Sequence, residues 1–249
     1  MSNADQRVLI AILTYNCHSK IDSLSKIITN FKENINFKIY IFDDCSNSLT
    51  QSKLKKLFLP NKLLISDTNL GYGGNVKRAF EYCEKNNFDI LAIFPGDMQR
   101  DINDLRKMIE IGIKEKYDVV VGTKDKNKLY GRMPVIRKFG NFLLNLISRL
   151  WKDNTAATLS GFKVYNVNSC KKIIWLCQSK FGFDLDFSFW ASQNNLKLHP
   201  HPASVSYENH FSSVKSTTLQ GITLILRGLI LGLFLQPLLY LLKMSLKRN

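Results

Sequence analysis

The sequence predicts an α/β protein with a mostly parallel sheet flanked by helices, followed by a C-terminal hydrophobic helical segment. Short apolar runs rich in β-formers alternate with stretches of helical periodicity along most of the chain. These runs are continuous, as is typical of strands buried on both faces of a parallel sheet. The composition then changes, and residues 228–242 carry no charge. We therefore expect a doubly wound sheet with a separate apolar segment after it.

Each element follows from this alternation. Strands are predicted at residues 7–13, 37–42, 62–65, 90–95, 117–121, 156–165 and 197–207. Helices are predicted at 21–31, 48–58, after 75, at 103–113, 137–151 and 168–177, and from 181 onward. Ser19 and Asn168 are expected as N-caps, because short polar side chains accept hydrogen bonds from the free N–H groups of a helix start. The polar, basic stretch 124–134 is expected to form a mobile flap over a site.

Composition limits the classes of partner. The chain has 35 Lys and Arg against 20 Asp and Glu, and this formal charge of +15 indicates nucleotide phosphates, an acidic membrane face or nucleic acid. We expect no nucleic acid, because the basic residues are not interleaved with exposed aromatics in a recognisable module. The five cysteines are odd in number and lack C-x-x-C spacing, so neither a disulfide framework nor a zinc site is expected. No signal peptide is expected either.

The most apolar strand ends in two oxygen ligands. Pro95 and Gly96 stop the run, and Asp97 and Gln99 follow directly. Ligands of open α/β sheets bind outside the carboxyl ends of the strands, so Asp97 is a candidate site residue. The alternative is that Asp97 only caps a turn or the following helix.

A glycine-rich stretch runs into the next helix. Residues 69–75 read Asn-Leu-Gly-Tyr-Gly-Gly-Asn. Glycines let the backbone approach a ligand, and a helix start offers free N–H groups to anions. The spacing is not G-x-G-x-x-G, so it does not predict a dinucleotide fingerprint, and an ordinary turn is the alternative. His199 and His201 have a spacing that suits a metal, but no third ligand is near in sequence and we expect them to be bystanders.

The C-terminal segment, residues 216–249, is amphipathic and then apolar. Its uncharged run is about 15 residues long, whereas a spanning helix needs about 20. Extending the run back to Leu219 includes Arg227, whose charge is costly in a membrane unless it pairs or reaches the interface. We therefore expect attachment in the plane of an anionic membrane surface, with Lys243 and Lys247 at the headgroups. A true span and a buried oligomer contact are the alternatives.

Several stretches, taken in order, resemble the landmarks of family 2 glycosyltransferases. They are Leu13–Asn16, Phe42–Ser46, Asn69–Gly74, Gly96–Gln99, Gly122–Lys124, Arg137, Ser160–Phe162 and Phe183–Asp186. The resemblance is to the subgroup of dolichyl-phosphate mannosyltransferase and bacterial polyprenyl-phosphate glycosyltransferases, and it covers roughly residues 7–215. It implies a GT-A (Rossmann-like) fold for a domain spanning 5–215, with 216–249 as the membrane-association segment.

The same resemblance implies roles for individual residues. Nucleotide-sugar binding falls to Thr14, Tyr15, Asn16, Asp43, Asp44, Asn69, Gly71 and Asp97. Acceptor binding falls to Gly122, Lys124, Arg132, Arg137, Ser160 and Asp186. Asp97 and Gln99 are the implied ligands of Mg²⁺ or Mn²⁺, and together with Arg137 they are the implied catalytic residues.

Three positions depart from the pattern of that family. Pro95 stands where many members carry the first acid of an Asp-x-Asp motif, although a Gly-Asp-x-Gln version also looks typical of the subgroup. The acid expected shortly before Ser160 is replaced by Ala157. The usual basic motif is blurred at 209–215, which bears on His210 and Lys215.

The expected function is inverting transfer of a sugar from a UDP- or GDP-linked donor to a polyprenyl phosphate at the cytoplasmic membrane face. A phosphate nucleophile is already ionised near neutral pH, so it needs no general base, and no His-carboxylate couple is evident around the site. The alternatives are a saccharide or protein acceptor and a catalytically silent relative that binds nucleotide sugar. A homo-oligomer remains open.

Overall fold

The computed structural model describes residues 6–31, 37–130, 135–151, 153, 160–180, 182–206 and 218–240. Its strands are β1 (Val8–Thr14), β2 (Phe37–Asp43), β3 (Leu63–Ile65), β4 (Ile90–Pro95), β5 (Val119–Tyr130), β6 (Lys163–Asn166) and β7 (Leu198–Ser206). Its helices are α1 (Ile21–Asn30), α2 (Ser48–Leu57), α3 (Gly71–Lys85), α4 (Ile102–Glu115), α5 (Val135–Ser148), α6 (Val167–Ile174), α7 (Phe183–Gln193) and α8 (Thr218–Ile230). A 3₁₀ turn, Arg149–Trp151, extends α5, and a π-helical turn, Leu231–Leu235, continues α8 to Tyr240. We call residues 218–240 the C-terminal helix.

The seven strands form one sheet in the order β3-β2-β1-β4-β6-β5-β7. All strands share one direction except β6, which is antiparallel to β4 and to β5. Thr14 pairs with Asp43, and Leu13 pairs with Pro95, so β1, β2 and β4 end together. We call this side of the sheet the carboxyl edge. The expected doubly wound parallel sheet is therefore confirmed except at β6.

The direction of β6 has a simple geometric reason. β5 ends at the carboxyl edge, and β6 begins there at Lys163, which pairs with Val121. A strand that begins at the edge where its neighbour ends runs antiparallel to it, whereas a parallel partner would have to begin at the opposite edge.

The structure corrects the expected flap over residues 124–134. β5 continues through Tyr130, because β7 pairs with it at Lys124 and again at Leu129 after an irregularity. Residues 131–134 lie outside the described part of the chain. The polar sequence of 124–130 thus belongs to a strand that pairs with β7, the strand predicted at 197–207. The prediction of a flap over these residues is wrong.

Two N-caps and one strand boundary also differ from expectation. Asn166 caps α6 by accepting from the Ser169 N–H at 3.1 Å, so Asn168 lies inside the helix. Ser19 lies within a 3₁₀ turn that precedes α1. The strand expected at 156–165 begins only at Lys163, and residues 154–159 are outside the described ranges.

Two apolar layers cover the sheet. Leu9 and Ala11 of β1 pack in the layer that contains α3, α6 and α7, whereas Ile10 and Ile12 pack in the layer that contains α1 and α4. Such alternation follows from the period of two in a strand. Each fully buried aliphatic side chain contributes about 1.5–3 kcal/mol to folding, so the two layers fix the sheet that carries the site.

A third apolar cluster joins the C-terminal helix to the domain. It contains Leu144, Ile147 and Trp151 from the α5 region, Leu185 and Phe189 from α7, and Leu231. Two glycines of the C-terminal helix allow the contact. A Cβ on Gly228 would lie 2.8 Å from Ile147, and one on Gly232 would lie 2.6 Å from Leu150.

Candidate functional site

The loops at the carboxyl edge carry strained backbone. Asn16, Cys45 and Met98 have positive φ angles of 47°, 57° and 62°, and they follow β1, β2 and β4. Non-glycine residues rarely adopt this conformation, which is enriched at ligand-binding sites. The three loops that carry most of the predicted nucleotide and metal residues thus each contain one such residue, and Asn87, Lys116 and Asn195 have positive φ angles elsewhere in the described chain.

Asp43 organises two of these loops. Its carboxylate is fully buried and accepts from Thr14 Oγ1 at 2.9 Å, from Ser46 Oγ at 2.6 Å and from the Ser46 N–H at 2.9 Å. Ser46 Oγ also accepts from the Asn16 N–H at 2.8 Å. These bonds join the ends of β1 and β2. They indicate that Asp43 and Thr14 hold the loops after β1 and β2 in place beside the predicted nucleotide pocket.

Asp44 holds the glycine-rich stretch. Its two carboxylate oxygens accept from the Leu70 N–H at 2.8 Å and the Gly71 N–H at 2.9 Å, at the start of α3. Asn69 Nδ2 donates to the Asp44 carbonyl at 3.3 Å. Burial raises the pKa of the Asp44 carboxyl, although the two N–H groups oppose the rise. Gly71 has a φ of 76°, which only glycine adopts without strain.

Two residues that the sequence interpretation missed complete this corner. Asn75 Nδ2 donates to the Phe42 carbonyl at 2.8 Å. Arg78 donates to the Asp43 carbonyl at 3.2 Å, to Asn75 Oδ1 at 3.1 Å and to the Leu64 carbonyl at 3.3 Å. They are three apart on α3, and therefore on one helix face. This spacing of Asn75 and Arg78, directly after the glycines, is the feature of the sequence from which their position beside the site could have been predicted.

Asp97 lies just beyond β4. Its Oδ1 accepts from the Gln99 N–H at 3.0 Å, and burial raises the pKa of its carboxyl. The preceding Gly96 donates to the Leu13 carbonyl at 2.8 Å, where a Cβ would come within 2.7 Å of that oxygen. The turn is thus fixed against β1. The backbone bond shows that Asp97 does stabilise the turn, as the alternative reading proposed.

The donor set at Asp97 fits a substrate-bridged cation. Within the described residues, no group of three or more His, Cys, Asp and Glu is arranged to hold a metal. Mg²⁺ is usually bound by one or two carboxylates plus substrate phosphates, so Asp97 and Gln99 suit that arrangement. The same finding means that His199 and His201 are not part of a group of metal-binding side chains within the described residues. The His199 ring instead stacks on Tyr117, with the ring centroids 4.6 Å apart.

Two of the predicted acceptor residues, Gly122 and Ser160, meet where β5 and β6 adjoin. Ser160 Oγ donates to the Gly122 carbonyl at 2.6 Å, and Gly122 N–H donates to the Phe162 carbonyl at 2.8 Å. Tyr72 Oη of α3 donates to the Gly161 carbonyl at 3.1 Å, which ties this corner to the glycine-rich stretch. Lys124 lies two residues after Gly122 in β5, and therefore on the same face of the sheet as Gly122.

Other predicted residues fall outside what the structure describes. Arg132, Ala157, His210 and Lys215 lie in undescribed ranges. Arg137 lies in the first turn of α5, but its side chain is not among those described. Their roles remain predictions.

The acids of α7 are engaged in ion pairs. Asp184 pairs with the fully buried Lys163. Asp186 is itself fully buried and receives Arg227 Nε on Oδ1 at 2.6 Å and Arg227 Nη2 on Oδ2 at 2.8 Å. Both acids lie in the first turn of α7, where the helix dipole also favours negative charge, so the ion pairs add to that effect. Arg227, which looked costly in the sequence, has a partner.

A family model and several known proteins are similar to this chain. The family model described as glycosyl transferase family 2 matches residues 9–174. A UDP-N-acetylglucosamine–dolichyl-phosphate N-acetylglucosaminyltransferase of Methanococcus voltae is 25% identical over 92% of this chain and 97% of its own length. A dolichol-phosphate mannosyltransferase of Pyrococcus furiosus is 27% identical over 47% of this chain, a match that spans 33% of that protein.

A solved structure supports the fold. Glucosyl-3-phosphoglycerate synthase from Mycobacterium tuberculosis, crystallised with Mn²⁺, UDP and glucosyl-3-phosphoglycerate, matches with a TM-score of 0.66 and 11% identity, over 92% of this chain and 80% of that one. The predicted GT-A fold is thereby confirmed. The family model covers well over half of the sequence, and this chain belongs to the family 2 glycosyltransferases.

Proposed function

We propose that this glycosyltransferase moves a sugar, with inversion, from a UDP- or GDP-linked donor to a polyprenyl phosphate at the cytoplasmic face of a membrane. One observation carries the proposal. Asp43, Asp44 and Asp97 lie together with a glycine-rich helix start at the carboxyl edge, on a domain that also exposes large apolar side chains of α5 and the C-terminal helix. The two relatives named for dolichyl-phosphate and dolichol-phosphate acceptors support the choice of acceptor.

The donor is proposed to bind along the loops after β1, β2 and β3. Asp43 and Asp44 fix these loops by hydrogen bonds from Thr14, Ser46 and Gly71. A rigid, preformed pocket lowers the entropy cost of ligand ordering, so these bonds favour nucleotide binding even where they do not touch the ligand. Arg78, held beside Asp43, adds positive charge near the pocket.

Asp97 and Gln99 are proposed to hold Mg²⁺ or Mn²⁺ on the donor diphosphate. Such an ion acts as a Lewis acid that stabilises the charge developing on the leaving diphosphate. The protein's part is to position the carboxylate, and the Gln99 N–H on Asp97 Oδ1 together with the packed Gly96 turn does so. The structural relative crystallised with Mn²⁺ and UDP is consistent with a divalent ion.

The acceptor is proposed to enter beside Gly122, Ser160 and Arg137. A phosphate oxygen is already anionic, so the attack needs positioning rather than proton removal. The two acids of α7 fit this view, because Lys163 and Arg227 occupy their carboxylates and neither is poised as a base. Arg137 and Lys124 are proposed to orient the phosphate.

The membrane contact is proposed to involve α5 as well as the C-terminal helix. Phe139 and Phe142 of α5 are 61% and 62% exposed, and Phe234 of the C-terminal helix is 70% exposed. Residues 131–152 contain no Asp or Glu, and Lys138 and Arg149 are exposed beside the aromatic face. An apolar face with a basic flank suits an anionic interface.

The C-terminal helix is proposed to lie in the interface rather than to cross it. Gln220–Tyr240 is long and apolar enough to span a membrane, with a mean hydropathy of 2.0. One of its sides, however, packs on α5 and α7 through Gly228, Leu231 and Gly232. A helix that spanned the bilayer along its whole length would have to leave these contacts.

The test is a transfer assay with labelled nucleotide sugars, Mn²⁺ and a polyprenyl phosphate. We expect the label to move into an organic-solvent-extractable product with one preferred donor. A water-soluble product would replace the lipid acceptor by a saccharide or another soluble acceptor. No turnover and no metal-dependent donor hydrolysis with any donor would support a silent nucleotide-sugar-binding relative.

A further inference from the structure

The C-terminal helix is connected to the glycine-rich stretch by a series of polar contacts. Arg227 binds both oxygens of Asp186, at 2.6 and 2.8 Å. Oδ2 of Asp186 also accepts from the Gln178 N–H at 2.8 Å. The next residue, Ser179, accepts at its carbonyl from the Gly74 N–H at 2.6 Å.

Segment 178–180 also packs directly on the glycines. A Cβ on Gly73 would lie 2.6 Å from the Gln178 carbonyl oxygen, and one on Gly71 would lie 3.2 Å from Lys180 Cα. The backbone of 178–180 therefore lies in close contact with the glycine-rich stretch. It leaves no room for a side chain at Gly73 and little at Gly71, and it accepts the hydrogen bond of the Gly74 N–H.

Asp186 connects the C-terminal helix to segment 178–180, because it accepts hydrogen bonds from both Arg227 and the Gln178 N–H. It is fully buried, so its charge needs a partner, and the fork of the Arg227 guanidinium matches both of its oxygens. The Asp186 hydrogen bond raises the pKa of Arg227, as expected for a strong pair. Loss of Arg227 would leave the carboxylate free to turn away from the Gln178 N–H.

We propose that Arg227 and Asp186 are positioning residues for the donor: they hold segment 178–180, and through it the glycine-rich stretch 71–74, in the shape that receives the diphosphate. This rests on the proposed function, because it assumes that the stretch receives a nucleotide donor. The helix that faces the membrane thereby supplies part of the donor site, although Arg227 touches no substrate.

The variants are chosen to avoid unfolding. The double variant Arg227→Met with Asp186→Asn removes the pair without leaving a lone buried charge. Arg227→Lys keeps the charge but not the two-point fork. Gly221→Ala is the matched control, because it lies on the same helix and a Cβ there has nothing within 4 Å.

The first measurement is amide hydrogen exchange of the full chain, which needs no ligand. We expect exchange in segments 70–76 and 178–180 to rise at least about fivefold in the double variant, the lower end of typical coupling between sites. Arg227→Lys should be intermediate and Gly221→Ala should show no rise in exchange, with β1 and α4 protected in all. Unchanged exchange in both segments of the double variant would overturn the inference.

The second measurement is binding of UDP and of GDP with Mn²⁺, followed by the donor KM and kcat of transfer. We expect the double variant to raise the nucleotide Kd and the donor KM at least about fivefold, with a smaller change in kcat. Equal nucleotide affinity in wild type and double variant would overturn the role in donor binding. A wild type that binds neither nucleotide would instead overturn the proposed function, while the exchange result would still test the contact between the segments.

Discussion

At the scale of single residues, Asp97 and Gln99 should differ sharply in what their loss costs. Asp97→Asn removes a charged ligand with almost no change of shape, and we expect turnover to fall about 10²–10³-fold, as for loss of one group that stabilises transition-state charge. Gln99→Ala should cost less, because it deletes a neutral ligand and keeps the backbone N–H that binds Asp97. The measurement is kcat/KM against Mn²⁺ concentration. Near-normal turnover of Asp97→Asn at limiting Mn²⁺ would show that the metal is held elsewhere.

Cys45 should be the reactive thiol of the protein. Burial raises the pKa of Cys17 to about 11 and also raises the pKa of Cys83, Cys170 and Cys177. Cys45 is partly exposed in the loop after β2, where its Sγ lies 3.4 Å from the Asp67 carbonyl oxygen. A thiol with a raised pKa holds less of the reactive thiolate at a given pH.

We therefore expect one equivalent of a maleimide reagent to react quickly at pH 8, and Cys45→Ser to abolish that phase. Because Cys45 lies beside Asp44, the donor nucleotide should slow the reaction. Rapid modification of a second thiol in the native protein would contradict the described packing.

Residues could be singled out from the sequence where the relevant partner was local. Asp97 and Gly71 stand next to their turns, so short motifs pointed to them as candidates, and their roles stay predictions. The Arg227 to Asp186 pair joins residues 41 apart in sequence, and no periodicity links them. The resemblance to the family implied an acceptor role for Asp186, and only the structure shows that Asp186 is buried against Arg227.

At the scale of elements, α5 should contribute to membrane binding independently of the C-terminal helix. Fully burying one large apolar side chain contributes about 1.5–3 kcal/mol, which corresponds to about tenfold or more in a partition constant. We expect Phe139→Ser with Phe142→Ser to weaken binding to anionic vesicles by at least that factor. Cosedimentation with vesicles measures it.

The matched control lies on another surface of the molecule. Leu49 and Leu59 are 62% and 66% exposed, so Leu49→Ser with Leu59→Ser removes a comparable exposed apolar area near α2. Vesicle binding of this control should equal that of the wild type. Equal losses in the two double variants would mean that general hydrophobicity, and not the α5 face, drives association.

Two glycines of the C-terminal helix should respond oppositely to alanine. A Cβ at Gly228 would lie 2.8 Å from Ile147, so Gly228→Ala should destabilise by about 1–3 kcal/mol through overpacking. Gly221 has nothing within 4 Å, so Gly221→Ala should stabilise by up to about 1 kcal/mol through helix propensity. Denaturant unfolding measures both, and a stabilising Gly228→Ala would contradict the packing of this helix on α5.

Elements were predictable where the apolar pattern was strong. β1, β2 and β4 and the helices around them lie close to the expected ranges, because buried strands and amphipathic helices have distinct periods. The polar stretch 124–130 resembled a loop, and only its pairing with β7 makes it a strand. The direction of β6 depends on where the chain re-enters the sheet, which residue pattern does not encode.

At the scale of the whole molecule, the correct nucleotide should raise the melting temperature. A ligand that binds only the native state stabilises it by about 2.7 kcal/mol at 100 times its Kd. We expect UDP or GDP, but not both equally, to give the larger shift with Mn²⁺ present. Thermal unfolding with each nucleotide, with and without EDTA, measures this. A shift that is independent of the metal would contradict a metal-bridged diphosphate.

The family and the GT-A fold were predictable for roughly residues 7–215, because a series of motifs occurs there in the family's order. The relation of the C-terminal helix to the domain was not. Apolar composition indicated a separate segment, yet one of its sides completes a cluster with Trp151 and Phe189. Composition records that a helix is apolar, but it does not record which neighbour covers each of its sides.

The Arg227 to Asp186 pair has a consequence for the order in which the protein is made. Translation produces Asp186 before Arg227, and the 41 residues from 187 to 227 take about 2–8 s at about 5–20 residues per second. At the start of that interval the nascent chain lacks β7, and throughout it lacks the cation that pairs with the buried carboxylate. We therefore expect Asp186 to gain its ion pair only after α8 has been synthesised, so the packing around segment 178–180 is completed later than that of β1, β2 and β4.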